Sequence, residues 1–209
     1  YDNVAAGCDP LGADNVVIFT TGPLVGSGAP QSNRFVVTGK SPLTGAIGTS
    51  TCGGNFATRL RRSGFDAVIL RGCAEKPVYL EIINGQASLK DATELWGLGT
   101  QETQARIGKK FGVACIGPAG ENRSLISGAG NDPGRMAARS GLGAVMGAKR
   151  LKAVALGGGQ RIPVYDRDTV KTLSRRCNAS VQFDPPFLNG IMMAYTGTLM
   201  RLLPMQMAF

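Results

Sequence analysis

The sequence predicts an α+β domain, rich in β-strand, that is followed by the start of a helical region. Three observations carry this. Short runs of β-branched and aromatic residues bounded by Gly, Pro or Asn recur through the first two thirds of the chain. The helical signals between them are few and brief. After Gly157-Gly158-Gly159 the pattern turns helical, and five of the seven methionines (Met192, Met193, Met200, Met205, Met207) follow Asn189. A boundary near residue 160 therefore separates a 1–160 α+β domain from 161–209, the truncated start of a helical domain.

In chain order, Val16-Val17-Ile18-Phe19-Thr20 and Arg34-Phe35-Val36-Val37-Thr38 read as strands, and a helix runs from Gly53-Gly54 to Arg62. Strands follow at Ala67–Arg71 and Val78–Ile83. The second of these meets Asn84-Gly85, the strongest short hairpin signal, and returns along Gln86–Lys90. Thr100 starts a helix that Gly112 stops after Phe111, with Glu102 near its positive end and Lys109 and Lys110 near its negative end. Val113–Ile116, Ser124–Ser127 and Ala153–Leu156 add strands, and a helix is expected from about Arg135 to Met146. Asp166 opens a last helix through Ser180, with Val170, Leu173 and Cys177 on one face.

With 209 residues and 43% hydrophobic residues the chain can bury a core, so disorder is excluded as its main state. Its 30 glycines and 11 prolines follow no three-residue period, which excludes collagen-like repeats. No uninterrupted apolar run reaches the ~20 residues a membrane span needs, and Tyr1-Asp2-Asn3-Val4 lacks the layout of a signal peptide. Tyr1 in place of Met fits a processed or truncated product.

The net charge of +9 favours an anionic partner: a phosphate-bearing cofactor, an acidic protein or nucleic acid. Aromatic residues make up 6% and are not interleaved with Lys and Arg, which argues against nucleic acid. There is no histidine, so the commonest general base and zinc ligand are absent, and any chemistry rests on other groups or on a cofactor. No two of the five cysteines lie closer than Cys52 and Cys73, 21 residues apart, so no CxxC pair holds zinc or a cluster. Their odd number in a chain without a signal peptide fits reduced thiols in the cytoplasm.

Three glycine-bearing segments could present backbone N–H groups to an anion. Thr49–Phe56 leads small polar residues into Gly53-Gly54 at a helix start, where unpaired amides and the dipole suit a phosphate; an ordinary loop with a glycine cap is the plainer alternative. Ile116–Arg123 is a weaker signal, more simply read as a turn. In Gly130–Gly147, Arg135 and Arg139 are four apart and would share a helix face among small residues, which suits phosphate or pyrophosphate capture or, alternatively, close helix packing. Walker A and the dinucleotide-binding fingerprint are both missing.

Taken together, Thr21-Gly22-Pro23-Leu24, Arg34, Lys40-Ser41-Pro42-Leu43-Thr44-Gly45, Gly53-Gly54, Gly64-Phe65-Asp66-Ala67, Leu95-Trp96-Gly97, Ile116–Asn122 and Gly143–Lys149 resemble, in order, the N-terminal domain of the aldehyde ferredoxin oxidoreductase family. The resemblance implies a β-rich base on which a tungsten or molybdenum bis-pterin sits, closed over by helical domains. It implies that Arg34 and Arg135 contact pterin phosphates, as does the backbone amide of Gly53. Thr51, where the family often has Asn, and Met136, where it more often has Ala, would offer backbone carbonyls to a magnesium ion bridging the phosphates. Gly54 and Arg139 complete the candidate cofactor-binding set. The cysteines of a [4Fe-4S] cluster and the acid/base residues lie in family segments beyond residue 160, so no catalytic residue is assigned here.

The activity so implied is oxidation of a small aldehyde to a carboxylic acid, with electrons passing through the cluster to ferredoxin or an iron-sulfur electron-transfer subunit. No nucleic-acid or membrane partner is expected, and a homo-oligomer is compatible with the sequence. Relatives acting on hydroxyacids or aromatic acyl thioesters, and a non-catalytic remnant that binds a phosphate-bearing ligand or an acidic partner, are the alternatives. Three expectations follow for the chain itself. Arg34 and Arg135 flank Gly53 although 101 residues apart in sequence; a broad apolar, glycine-rich face is exposed; and the 209-residue segment alone is inactive and holds neither iron, zinc nor stoichiometric tungsten.

Overall fold

A computed structural model describes residues 4, 5 and 7–181. Two compact units divide the chain, 1–165 and 166–209. The first contains two sheets. Strands β1 (Val17–Thr21), β2 (Arg34–Lys40), β3 (Ile47–Gly53) and β4 (Ala67–Leu70) form an antiparallel sheet in the order β3-β2-β1-β4. Strands β5 (Val78–Ile83), β6 (Gln86–Asp91), β7 (Gly112–Cys115), β8 (Ala129–Asn131), β9 (Arg135–Ala137) and β10 (Leu151–Gly157) form the other, in the order β6-β5-β10-β7-β8-β9. Among the described residues only β5 and β10 pair in parallel, and helices α1 (Asn55–Arg62), α2 (Thr100–Ile107), α3 (Pro118–Glu121) and α4 (Leu142–Ala148) fall between strands. This is the mixed α+β architecture the sequence predicts.

The first sheet buries one face. Phe19 and Phe35 pack there against Phe56 of α1, with ring centroids 5.6 and 4.6 Å from it, and Ala57 and Leu60 extend the contact. Alternation then places Ile18, Thr20, Val36, Thr38, Thr49 and Thr51 on the opposite face, half-buried or exposed. Among the described residues nothing covers that face, where Ile18, Val36 and the exposed Ile47 and Ile69 form an aliphatic surface interrupted by threonine hydroxyls. The second sheet is built on β10, all seven residues of which are buried, as central strands covered on both sides must be.

Several local expectations are corrected. Ser124–Ser127 is a turn: Ser124 N–H donates to Ala119 O, Ser127 N–H and Oγ donate to Ser124 O, and the strand begins only at Ala129. The Thr100 helix ends at Ile107, because Gly108 takes φ 109° and leaves the helical path before Gly112 is reached. The helix expected from Arg135 to Met146 is strand β9, a turn and α4: Asp132 and Gly134, both at positive φ, fold the chain back so that Asn131 pairs with Arg135, and Ser140 and Gly141 interrupt it again. Arg135 and Arg139 therefore share no helix face. β3, for which no strand was expected, is a small, polar edge strand. The Asn84-Gly85 hairpin forms with both residues at positive φ and Ile83 paired to Gln86.

In the second unit, α5 (Arg167–Val181) is capped by Asp166, whose carboxylate accepts the Thr169 hydroxyl at 2.6 Å and its amide at 2.9 Å. Those bonds hold the Asp166 carboxyl below the usual carboxylate range. Residues 182–209, with their methionines, lie outside the described residues.

The five cysteines are free thiols, with Cys52 and Cys115 buried and Cys73 and Cys177 exposed. Burial pushes the Cys115 thiol up to about 12, against the opposing pull of the Lys152 ammonium. Between pH ~9 and ~12 the unfolded chain loses this proton while the folded chain keeps it, so folding stability falls as pH rises through that window, by about 1.4 kcal/mol per unit from this group. Lys149, buried against the carbonyls of Ala13 and Gly72, is held down by desolvation and gives the opposite slope below pH ~10.5. The Cys115 contribution is thus read as a difference: urea midpoints of Cys115→Ala should fall less steeply above pH ~9 than those of the parent chain. Equal slopes would refute it.

Candidate anion-binding site

Arg34 opens β2 and Gly53 closes β3, and the antiparallel register pairs them directly. Arg135 opens β9, and its Nη1 stands 3.0 Å from the point a Cβ on Gly53 would occupy. The two arginines, both exposed, line one open cavity of about 510 Å³ together with Gly53, Gly54, Asn55 and Asp132. Residues distant in sequence thus meet where two edge strands, β3 of one sheet and β9 of the other, run side by side. Side chains join these edges: Asn131 Nδ2 donates to Gly53 O at 2.7 Å, Arg139 N–H to Ser50 Oγ at 3.2 Å, and Ser140 Oγ to Thr49 O at 3.4 Å.

Gly54 precedes α1 at φ 116°, and a Cβ there would run into the Asp132 carboxylate and the Asn131 amide. Only glycine fits this corner. Having no side chain, Gly54 cannot cap α1; the cap comes from Asp132, whose Oδ2 accepts the N–H of Asn55, 77 residues earlier, at 2.7 Å. Asn131 is fully buried, and its Oδ1 has no partner.

Two guanidinium groups converge on glycine backbone at the start of a helix, which suits the oxygens of a phosphate ester. Gly54, where no side chain fits, and Asn131, with its orphaned Oδ1, meet at this same corner. Thr51 lies on the open face of β3, two residues before Gly53, and Met136 is half-exposed on β9, so both stand on the facing edge strands. Arg139 does not line the cavity; its amide is taken by Ser50, beyond the end of β9. Asn131 and Asp132 escaped the sequence reading as site residues. The signal was the Asp-Pro-Gly turn, which places its flanking Asn131 and Arg135 opposite one another.

Fold and site together define a mixed α+β domain that gathers two arginines and a glycine corner between two sheet edges. The model of the aldehyde ferredoxin oxidoreductase N-terminal domain matches residues 1–158, and the chain belongs to that family. It is 42% identical over 182 residues to the tungsten-containing aldehyde ferredoxin oxidoreductase of Thermococcus kodakarensis, covering 85% of this chain and 30% of that protein. To the aliphatic sulfonate oxidoreductase WOR-like subunit of Pyrococcus furiosus it is 35% identical, over 80% of this chain and 29% of that one. Among solved structures, the active-site complex BamBC of benzoyl coenzyme A reductase with 1,5-dienoyl-CoA superimposes with a TM-score of 0.81 at 36% identity, covering 83% of this chain and 27% of that chain. The chain therefore spans under a third of the length of these relatives and corresponds to the N-terminal domain of an oxidoreductase family. Among the described residues no helix is long and apolar enough to cross a membrane, and no group of three His, Cys, Asp or Glu side chains could hold a metal.

Proposed function

We propose that the chain is the cofactor-cradling part of a cytoplasmic oxidoreductase that converts an aldehyde to a carboxylic acid, releasing two electrons and two protons as water supplies the added oxygen. The observation that carries this reading is the meeting of Arg34, Gly53 and Arg135 in one cavity. A tungsten or molybdenum bis-pterin, when bound, supplies the redox chemistry. This chain's share is positional. Arg34 and Arg135 would neutralise phosphate charge, the backbone at Gly53 and Gly54 would let the phosphate approach closely, and the carbonyls of Thr51 and Met136 would help to hold a magnesium ion. The open face of β1–β3 forms the floor. A [4Fe-4S] cluster, held outside this segment, would supply the electron route to ferredoxin or an iron-sulfur subunit.

A second reading concerns substrate alone: the likeness to a sulfonate oxidoreductase and to a benzoyl coenzyme A reductase complex favours a sulfonate or an acyl thioester at the same cradle. One experiment separates these. The protein expressed from its full reading frame should contain tungsten or molybdenum, phosphate and iron, and should reduce ferredoxin with short aldehydes. Metal content with turnover only with a sulfonate as electron donor or an aromatic acyl thioester as electron acceptor would establish the second reading. A full-length product with no metal and no phosphate would overturn both.

A further inference from the structure

We propose that Asp132 and Asn131 are positioning residues that fix which backbone groups of the Gly53-Gly54-Asn55 corner a phosphate can use. This rests on reading that corner as the phosphate site. The two side chains come from one turn and grip the corner from opposite ends: Asn131 Nδ2 holds the Gly53 carbonyl at 2.7 Å, and Asp132 Oδ2 holds the Asn55 amide at 2.7 Å. The first contact ties down a carbonyl that would repel a phosphate oxygen. The second is less expected, because it places a carboxylate where the positive end of α1 would otherwise draw the ligand.

Asp132 is thus a resident anion on the first turn of α1. It caps the helix and denies the Asn55 amide to the ligand, so a phosphate is confined to Gly53, Gly54 and the two guanidinium groups. Its charge also stands near Arg135: its Oδ2 and the Arg135 Cδ both lie within 3.1 Å of the point a Cβ on Gly54 would occupy. A purely structural cap would need only an acceptor, which Ser, Thr or Asn at Gly54 itself could not supply, since the corner admits no side chain. The buried Asn131, whose Oδ1 is unpartnered, gives an independent sign that the turn is arranged for more than packing.

The test uses the 15N-labelled chain and inorganic pyrophosphate, followed by amide shifts. In the parent chain Gly53 and Gly54 should shift while Asn55 stays still. In Asp132→Ala, Asn55 should join them, and binding should tighten about fivefold as the neighbouring negative charge disappears. Asp132→Asn keeps the acceptor, so it should tighten binding by a similar factor while restoring the silence of Asn55. Asn131→Ala should weaken binding about fivefold as the Gly53 carbonyl is freed. An Asn55 shift as large as that of Gly53 in the parent chain, or an unchanged pattern in Asp132→Ala, overturns the proposal while leaving the site intact. A parent chain whose Gly53 never responds, with Arg34→Ala equally inert, defeats the site reading and this assignment together.

Discussion

Lys152→Met is expected to lower folding stability by about 3–5 kcal/mol, because it strands a buried carboxylate. Lys152 is fully buried on β10 and Glu121 is nearly so. The Lys152 ammonium pairs with Glu121 Oε1 and donates to Leu98 O at 2.8 Å, and Glu121 Oε2 accepts the Gly97 N–H at 2.8 Å. Four groups thus satisfy one another, and together they pin the 97–98 loop to the central strand. The pair need not be worth much as a whole: replaced by apolar groups of similar volume it could be neutral, whereas removing one member leaves the other charged in a dry site. Lys152→Met/Glu121→Met should therefore recover much of the loss. The exposed pair of Arg61 and Asp66, at 3.1 Å with Asp66 largely in solvent, is the contrast, and Asp66→Asn should cost under ~1 kcal/mol. Urea unfolding midpoints report all three, and a double variant no more stable than Lys152→Met would refute the ion-pair account.

How much of this was legible in the sequence depends on what each residue had to report. The strands that bury a face, such as Val17–Thr21 and Val78–Ile83, announce themselves by β-branched and aromatic runs, and Asn84-Gly85 fixes its hairpin through backbone conformations that few residues tolerate. β3 was hidden because its sequence, Ile-Gly-Thr-Ser-Thr-Cys-Gly, keeps even its buried positions small. The Met136-Ala137-Ala138-Arg139 stretch carries helix propensity, but the turns at Asp132–Gly134 and Ser140–Gly141 override it. Lys152 and Glu121 read as ordinary charged residues, since nothing in their spacing reveals that they meet in the core. At the site the chemical groups were visible one by one: a glycine pair before a helix, and two arginines. Their meeting was not, because it depends on two sheet edges lying side by side. It was the resemblance that joined Arg34 to Arg135, and it gave no hint of Asp132.

Removing both arginines should abolish pyrophosphate binding by the chain, with Arg34→Ala and Arg135→Ala each weakening it by roughly 10- to 100-fold, as the loss of one charge-assisted contact at about 1.5–3 kcal/mol implies. The two should not be equivalent to lysine. A guanidinium presents a planar fork that grips two phosphate oxygens, so Arg135→Lys should recover charge but only part of the affinity. Arg139 supplies the control that separates a site from a general basic surface: it carries the same charge but does not line the cavity, so Arg139→Ala should change binding less than about threefold at physiological salt. On a chain of net charge +9, diffuse attraction would instead make the three alanine variants alike and all strongly salt-dependent. Isothermal titration of each variant at two salt concentrations decides between these outcomes. If Arg139→Ala loses as much affinity as Arg34→Ala and Arg135→Ala, the cavity between β3 and β9 is not where the phosphate binds.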